Sequence, residues 1–430
     1  GGGSGADDSR DTPRRGISGA WEMQADGPSR TPAESKRLGD FIRFLAETQR
    51  SYFERRRDAL RAHGYDGLTI STAWQAGGPA AHLANLWTDD AMDVIDRHAY
   101  FGGGAGGHQV RRGDVNSASH LGTLDGGILA RGYEQVEGKP FMLSEWTQSP
   151  PNEWKAEIAP LVAFYGFGLG GWDASTHFSA GRADLGGGWP DEDSYVTETP
   201  SYIGQFPALA RAVHRGDFMH GPLIAARRVA TDDAFLGLDA LSQGAPSGGW
   251  GGGGGPLALP LGAQLMGRVT VKVGDGLAPS TLGDVTALVD PVREIIHSAT
   301  GELAWHVADS VVVADSERTQ AVIGFAANTA FTTGAFEVAF GETTFASLIL
   351  TSLDDAPLAV SRRVLVTALA RDRQTGARYS VNRRFLEAVG GPPLLMEPVQ
   401  ARIRLRSGTI RSARALRPDG VPVGGQVDHD

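Results

Sequence analysis

Two hydrophobic patterns divide this 430-residue chain, and the change from one to the other most constrains its fold. Up to about residue 220, short apolar runs alternate with longer stretches whose apolar residues recur at helical spacing. After about residue 221, apolar runs follow one another with only tight turns between them. The first pattern is typical of parallel βα units and the second of antiparallel sheets. The sequence therefore predicts an α/β region followed by an all-β region.

Three segments follow from this division. Residues 1–30 are polar and rich in glycine and proline, which predicts a flexible N-terminal segment. Residues 31–220 form the α/β region, and residues 221–430 are predicted to be an antiparallel β-sandwich with a glycine-rich loop at 244–255. The N-terminus lacks the apolar stretch of a signal peptide and fits a linker, an expression scar or the start of a truncated chain. Localisation stays open, with secretion or a periplasmic location compatible with the sequence.

The α/β region contains recognisable elements. Leu38 to Leu60 is amphipathic, and Gly64 is placed to end that helix. Further helices are predicted at Lys155 to Leu169 and from Pro207 onward. Short strands are predicted at Leu68 to Thr72, Met92 to Tyr100, Phe141 to Trp146 and Gly170 to Ala180.

Composition excludes several classes of function. The formal net charge of −10 argues against a nucleic-acid partner. The chain has no cysteine, so disulfides, thiolate metal sites and a cysteine nucleophile are ruled out. No apolar run has the roughly 18 residues of a membrane span. No phosphate loop, dinucleotide fingerprint or calcium loop is present, so the sequence predicts neither a cofactor nor a metal site.

Polar and aromatic side chains mark the ends of the predicted strands. His98 and Tyr100 end one strand, Ser144-Glu145-Trp146 end the next, and Trp172 and Asp173 lie on the third. Catalytic residues of βα barrels lie at the carboxyl ends of strands. Glu145, flanked by rings, fits a nucleophile that attacks a sugar, although a structural ion pair explains an isolated glutamate equally well.

Taken in order, these motifs resemble strands six to eight of a clan A glycoside hydrolase barrel. The resemblance implies that residues 31–220 are the C-terminal half of a (β/α)8 barrel, with Leu68 to Thr72 as strand five. It assigns Glu145 as the catalytic nucleophile and His98, Tyr100 and Trp172 as residues of the sugar site. Trp146, Asp173 and His177 are expected to shape the same subsite. Later stretches resemble bacterial glycosidases of this clan that carry a C-terminal β-sandwich.

One part of that pattern is missing. In the clan, an acid/base glutamate follows an asparagine at the end of strand four, and nothing before Leu68 provides that strand. Asn152-Glu153 comes after the nucleophile in the chain, and Glu22 has no apolar strand beneath it. Four βα units cannot close a barrel. The chain is therefore expected to be a fragment, to need a partner chain, or to pair with a second copy.

The sequence thus predicts a retaining glycoside hydrolase acting on a β-linked oligo- or polysaccharide, without a cofactor. A non-catalytic carbohydrate-binding or structural protein is the alternative, since a half-barrel without a proton donor can still hold sugars. A subunit completed by its partner is the third reading.

Overall fold

The computed structural model describes residues 31–74, 81–124, 126–180, 194–236, 259–417 and 420–426. The predicted N-terminal segment, Glu22 and the glycine-rich loop lie outside these ranges. The fold is mixed α/β with an antiparallel, sheet-rich C-terminal half. The α-helices are α1 (Pro32–Ala62), α2 (His82–Asp89), α3 (Ile158–Leu161), α4 (Pro200–Ile203), α5 (Phe206–Arg215), α6 (Thr231–Leu236) and α7 (Ala263–Met266). Other helical segments are His120–Gly122, Leu129–Glu134, Lys155–Glu157 and Thr286–Leu288, which are 3₁₀, and Val162–Leu169, which is π-helical.

The strands of the first 282 residues are β1 (Ile95–Gly102), β2 (Gly113–Asp114), β3 (Phe141–Ser149), β4 (Ala174–His177), β5 (Leu223–Val229), β6 (Arg268–Val273) and β7 (Thr281–Leu282). The later strands are β8 (Val289–Asp290), β9 (Ile295–His297), β10 (Leu303–His306), β11 (Val311–Asp315), β12 (Thr319–Gly324), β13 (Ala330–Thr332), β14 (Phe336–Phe340), β15 (Ala346–Ser352), β16 (Val364–Leu369), β17 (Asp372–Thr375), β18 (Arg378–Tyr379), β19 (Phe385–Ala388), β20 (Gly391–Met396), β21 (Ala401–Leu405), β22 (Arg414–Leu416) and β23 (Pro422–Gln426).

Helix α1 begins at a capping box. The Thr31 side chain accepts from the Glu34 amide, and the Glu34 carboxylate accepts from the Thr31 amide. Leu38, Ile42 and Ala46 are buried against α2 and α6, which confirms the amphipathic helix predicted from the sequence. Within the described residues, no helix is both long enough and apolar enough to cross a membrane.

Three parallel strands form the sheet that carries the candidate residues, in the order β1-β3-β4. Two of the predicted strands are confirmed, with their ends shifted, in β1 and β3. The strand expected at Leu68 to Thr72 is reduced to one parallel bridge, between Ile70 and Val94. The backbone at Thr69 makes local hydrogen bonds in place of a longer strand pairing. The Thr69 amide donates to the Asp93 side chain, and the Thr69 carbonyl accepts from the amides of Asp93 and Val94.

A separate sheet corrects one strand prediction. The run Arg268 to Val273 was expected among antiparallel strands, but as β6 it pairs in parallel with β5. Val271 also makes a parallel bridge to Val136, which ties this sheet to the first half of the chain. Val269 and Val271 are buried in the same cluster as Leu143 of β3, so the strand is held by the α/β core.

The C-terminal half is dominated by a seven-stranded antiparallel sheet with the order β16-β15-β12-β11-β10-β9-β8. A three-stranded antiparallel sheet, β13-β14-β21, contributes Phe336 and Val338 to a hydrophobic cluster that also contains Val322 and Leu348 of the large sheet. The other face of the large sheet contributes Trp305 and Ile349 to the main core. Alternate side chains of these strands therefore pack on opposite sides, as the pleat of a strand requires.

The end of β3 is anchored by a buried carboxylate. Glu157 accepts hydrogen bonds from the Ser119 hydroxyl at 2.5 Å, the His120 amide at 2.6 Å and Gln148 Nε2 at 2.6 Å. Burial raises the pKa of Glu157 to about 7, and the three donors oppose that shift. The side chain is fully buried, so its protonation state is coupled to folding.

We expect Glu157→Gln to change the pH dependence of stability. Because the folded pKa of Glu157 lies above its ordinary value of 4.5, its contribution is fully present below that value and is lost as pH rises through about 7. The parent protein should therefore lose about 3 kcal/mol relative to the variant between these two pH values. Urea unfolding of both proteins across this range measures it. If the free energies of unfolding of the two proteins changed with pH in the same way, the raised pKa of Glu157 would be contradicted.

Candidate active site around Glu145

The carboxylate of Glu145 is held from β1. The Tyr100 hydroxyl donates to Glu145 Oε2 at 2.6 Å. His98 Nδ1 lies 3.2 Å from the same oxygen, although not in hydrogen-bonding geometry. The Glu145 side chain is 31% exposed, so a solvent molecule or ligand can reach it. The structure thus brings together three of the residues predicted from the sequence.

A β-bulge sets the direction of Glu145. Arg97 pairs with Leu143 and His98 pairs with Glu145, which leaves Ser144 as the extra residue on β3. Both bulge side chains then reach one histidine, since His98 Nε2 is 3.1 Å from Ser144 Oγ. Asp96, which is buried, accepts from the unpaired Ser144 amide at 3.0 Å. The Asp96 carboxylate therefore satisfies the backbone group that the bulge frees.

Tyr100 is a hydrogen-bond donor to Glu145. Burial and the hydrogen bond to Glu145 raise the pKa of Tyr100 well above its ordinary value. The phenol therefore stays protonated at neutral pH and keeps donating to Oε2. Within the described residues, the polar contacts of Glu145 are to Oε2, which leaves Oε1 available to a ligand.

Aromatic side chains beyond those predicted contact the two residues that lie against the carboxylate, Tyr100 and His98. The rings of Tyr100, Phe178 and Tyr195 contact one another edge-on, with centroids 5.2–6.4 Å apart. The Tyr195 hydroxyl lies 2.8 Å from His108 Nδ1. On another side, the ring of Trp74 meets His98 at 5.1 Å and is 62% exposed. The sequence did not predict these residues. His108, Phe178 and Tyr195 lie in loops, where no periodic pattern places them. Trp74 follows the predicted strand five, so its position could have indicated a site residue.

Trp146 and His177 form a stacked pair beside the site. Their rings are parallel at 4.0 Å, and Trp146 Nε1 donates to Ser175 Oγ at 2.6 Å. Trp146 is only 4% exposed, so its expected role as a sugar platform needs correction: one ring face is covered by His177. Burial lowers the pKa of His177 to about 3, so its imidazole is neutral at pH 7.

Trp172 and Asp173 lie at the opposite end of the sheet, which corrects the expectation that they adjoin Glu145. They precede β4, and the Asp173 amide and carboxylate bond to the backbone of Phe141 at the start of β3. Glu145 is four residues further along β3, about 13 Å at the usual rise per residue. Trp172 is buried against Phe141 and Gly166, and Asp173 is exposed. Trp172 is therefore a core residue at the start of this sheet.

Within the described residues, the polar side-chain contacts of Glu145 are those with Tyr100 and His98. Glu153, from the Asn-Glu pair, is buried and ion-paired with Arg383 and, at 3.9 Å, with Arg371. Glu22 lies outside the described ranges, as do Asp191, Glu192 and Asp193.

The acidic residues before β1 are each bound to separate partners. Asp89 pairs with Arg97, Asp90 with Lys272, and Asp93 with Arg61 and Thr69. Across the part of the chain that the structure describes, no three His, Asp or Glu side chains converge as metal ligands. These contacts account for the charges of the acidic run without a metal.

Comparisons of the chain with protein-family profiles, with curated proteins and with solved structures returned no match. The geometry at Glu145 and the motifs that resemble clan A are therefore the observations that bear on function.

Proposed function

We propose that this protein is a retaining glycoside hydrolase acting on β-linked oligo- or polysaccharides, with Glu145 as its nucleophile. One observation carries the proposal: a solvent-accessible glutamate stands at the middle of a parallel strand and is held by a tyrosine from the neighbouring strand. The proposed architecture is the C-terminal half of a (β/α)8 barrel joined to a β-sandwich. The parallel order β1-β3-β4, with the Ile70 bridge beside β1, is compatible with strands five to eight.

The chemistry assigns each contact a role. Oε1 of Glu145 attacks the anomeric carbon as the bond to the leaving oxygen breaks, and that oxygen takes a proton from an acid. Water then hydrolyses the glycosyl ester and restores the carboxylate. The Tyr100 hydrogen bond fixes the carboxylate, and His98 orients its neighbour Ser144. Tyr195, Phe178 and Trp74 offer ring surfaces suited to the apolar faces of sugars. A panel of chromogenic β-glycosides, with the product anomer followed by NMR, tests the assignment; release of the inverted anomer would contradict it.

Asp96 should affect kcat, because its carboxylate accepts a hydrogen bond from the Ser144 amide in the bulge that positions Glu145. We expect Asp96→Ala to lower kcat by about 10²-fold through misplacement of Glu145. Asp96→Asn retains an oxygen acceptor for the Ser144 amide and should stay near the parent value, with KM little changed in both variants. Steady-state kinetics and circular dichroism of both variants check this. An alanine variant that is folded and fully active would show that the bulge does not depend on this carboxylate.

A non-catalytic sugar-binding protein is the second candidate function. It is favoured by the state of Glu153, the glutamate of the Asn-Glu pair, because its carboxylate is buried and ion-paired with Arg383 and is therefore unsuited to act as the acid. Binding of β-linked oligosaccharides by calorimetry without turnover of any member of the panel would select it.

The exposed sheet edge favours a third arrangement, in which another chain or a second copy completes the sheet. Among the described residues, Ile70 bridges only Val94, and Leu68, Ile70 and Trp74 are 68%, 44% and 62% exposed. Apolar groups at an unpaired edge are typical of a surface that another strand covers. Light scattering of the purified chain measures its oligomeric state.

A further inference from the structure

The C-terminal half concentrates positive charge in one stretch. Residues 362–417 contain thirteen arginines, no lysine and three acidic residues, which gives this segment a formal net charge of +10. The whole chain is −10, so the other residues sum to −20. Charge asymmetry of this size points to an anionic partner for the basic part.

Most of these guanidinium groups face solvent. Arg371 and Arg383 are partly buried and paired with Glu397 and Glu153, and Arg404 pairs with Glu337 at 3.3 Å. The exposed arginines of the segment are Arg362, Arg363, Arg373, Arg378, Arg384, Arg402, Arg404, Arg406, Arg411, Arg414 and Arg417. Arg402 and Arg404 alternate along β21, an edge strand, so they share one face. The segment thus presents guanidinium groups whose paired N–H donors match the oxygens of a carboxylate or sulfate.

The β18–β19 hairpin joins this segment to the surroundings of Glu145. β19 pairs with β2, which follows the loop that leaves β1, and Tyr379 donates to the Pro151 carbonyl just after β3. Arg112 lies over the Phe385 ring at 5.3 Å. The same loop carries His108, which contacts Tyr195 of the aromatic cluster at Tyr100.

Two acidic residues lie on the strands of this junction. Asp114 is opposite Phe385, and Glu387 follows in β19; both are exposed. Arg111, Arg112, Arg378 and Arg384 are exposed in the same region, so cations outnumber anions there.

We infer that residues 362–417 bind an acidic polysaccharide and that the hairpin guides it toward Glu145. The choice of a saccharide rests on the proposed function; the requirement for negative charge rests on the arginines. Spaced carboxylates on a glycan suit scattered arginines on a molecule whose remaining surface is acidic, whereas that surface repels a dense polyphosphate.

Affinity electrophoresis tests this with two polymers that share a β-linked glucan backbone. Carboxymethyl cellulose should retard the protein and hydroxyethyl cellulose should not. Retardation should fall about tenfold between about 50 and about 200 mM salt if two or more ionic contacts form. Arg378→Ser/Arg384→Ser should weaken binding and lower the salt slope by about 2. Arg55→Ser/Arg56→Ser, an equal charge change on exposed positions of α1, should leave both unchanged.

Three results would overturn the inference: equal binding of the two polymers, binding that salt does not alter, or equal losses in both double variants. Binding of duplex DNA as tight as that of carboxymethyl cellulose would also overturn it, because the surface would then recognise charge alone. The assay needs no turnover, so failure of the glycosidase proposal shows separately, in the chromogenic panel.

Discussion

Glu145→Gln is expected to reduce turnover of β-glycosides by at least about 10³-fold while leaving sugar binding intact. The amide is nearly isosteric with the carboxylate, but it cannot attack an anomeric carbon and form a glycosyl ester. The oxygen that receives the Tyr100 hydrogen bond can be kept, so the local structure should survive. Steady-state kinetics and calorimetric binding of an oligosaccharide measure the two effects.

Glu47→Gln is the matched control, because Glu47 is an exposed carboxylate on α1. Its activity should equal that of the parent. If Glu145→Gln keeps parental activity, Glu145 is not the nucleophile. If both binding and turnover are lost in a folded variant, its main role is in holding the sugar.

Arg97→Met is expected to have the largest effect on stability. Arg97 is fully buried and pairs with Asp89 at 2.9 Å and with Glu134 at 2.5 Å, both of them buried. Burial raises the pKa of Asp89 to about 6, and Arg97 opposes that shift. Removing the cation leaves the buried Asp89 carboxylate without this ion-pair partner and leaves Glu134 paired with Arg131, at a cost of about 3–5 kcal/mol. Urea denaturation followed by circular dichroism measures the loss.

The double variant Arg97→Met/Asp89→Asn should recover part of that loss, because it removes one uncompensated charge. A loss below about 1 kcal/mol for Arg97→Met would show that water or neighbouring groups solvate the carboxylates.

The sequence predicted the elements that periodicity controls. Helix α1, β1 and β3 lie where apolar spacing places them, and the C-terminal half is antiparallel and sheet-rich, as its closely spaced apolar runs predict. The sequence also predicted that His98, Tyr100 and Glu145 lie close together, and the parallel register of β1 and β3 pairs His98 with Glu145 within the two strands. The barrel and the sandwich remain proposals, since the described sheets establish only an α/β half and an antiparallel half.

Other features depend on contacts that no local pattern encodes. Trp172 and Asp173 were expected beside Glu145, but β4 begins only at Ala174, so both lie at the amino end of the sheet. The bulge at Ser144 arises from a register shift that Asp96 stabilises, and neither is visible in the order of residues. The parallel pairing of β6 depends on β5, whose first residue, Leu223, lies 45 positions before its partner Arg268.

The direct test of the account is to trap the glycosyl ester. Activated 2-deoxy-2-fluoro β-glycosides slow its hydrolysis, and peptide mapping by mass spectrometry then locates the sugar. We predict one added glycosyl residue on the carboxylate at position 145, absent from Glu145→Gln. A stoichiometric label on another residue, or turnover of the parent glycosides with no trapped ester, would contradict the assignment of Glu145 as the nucleophile.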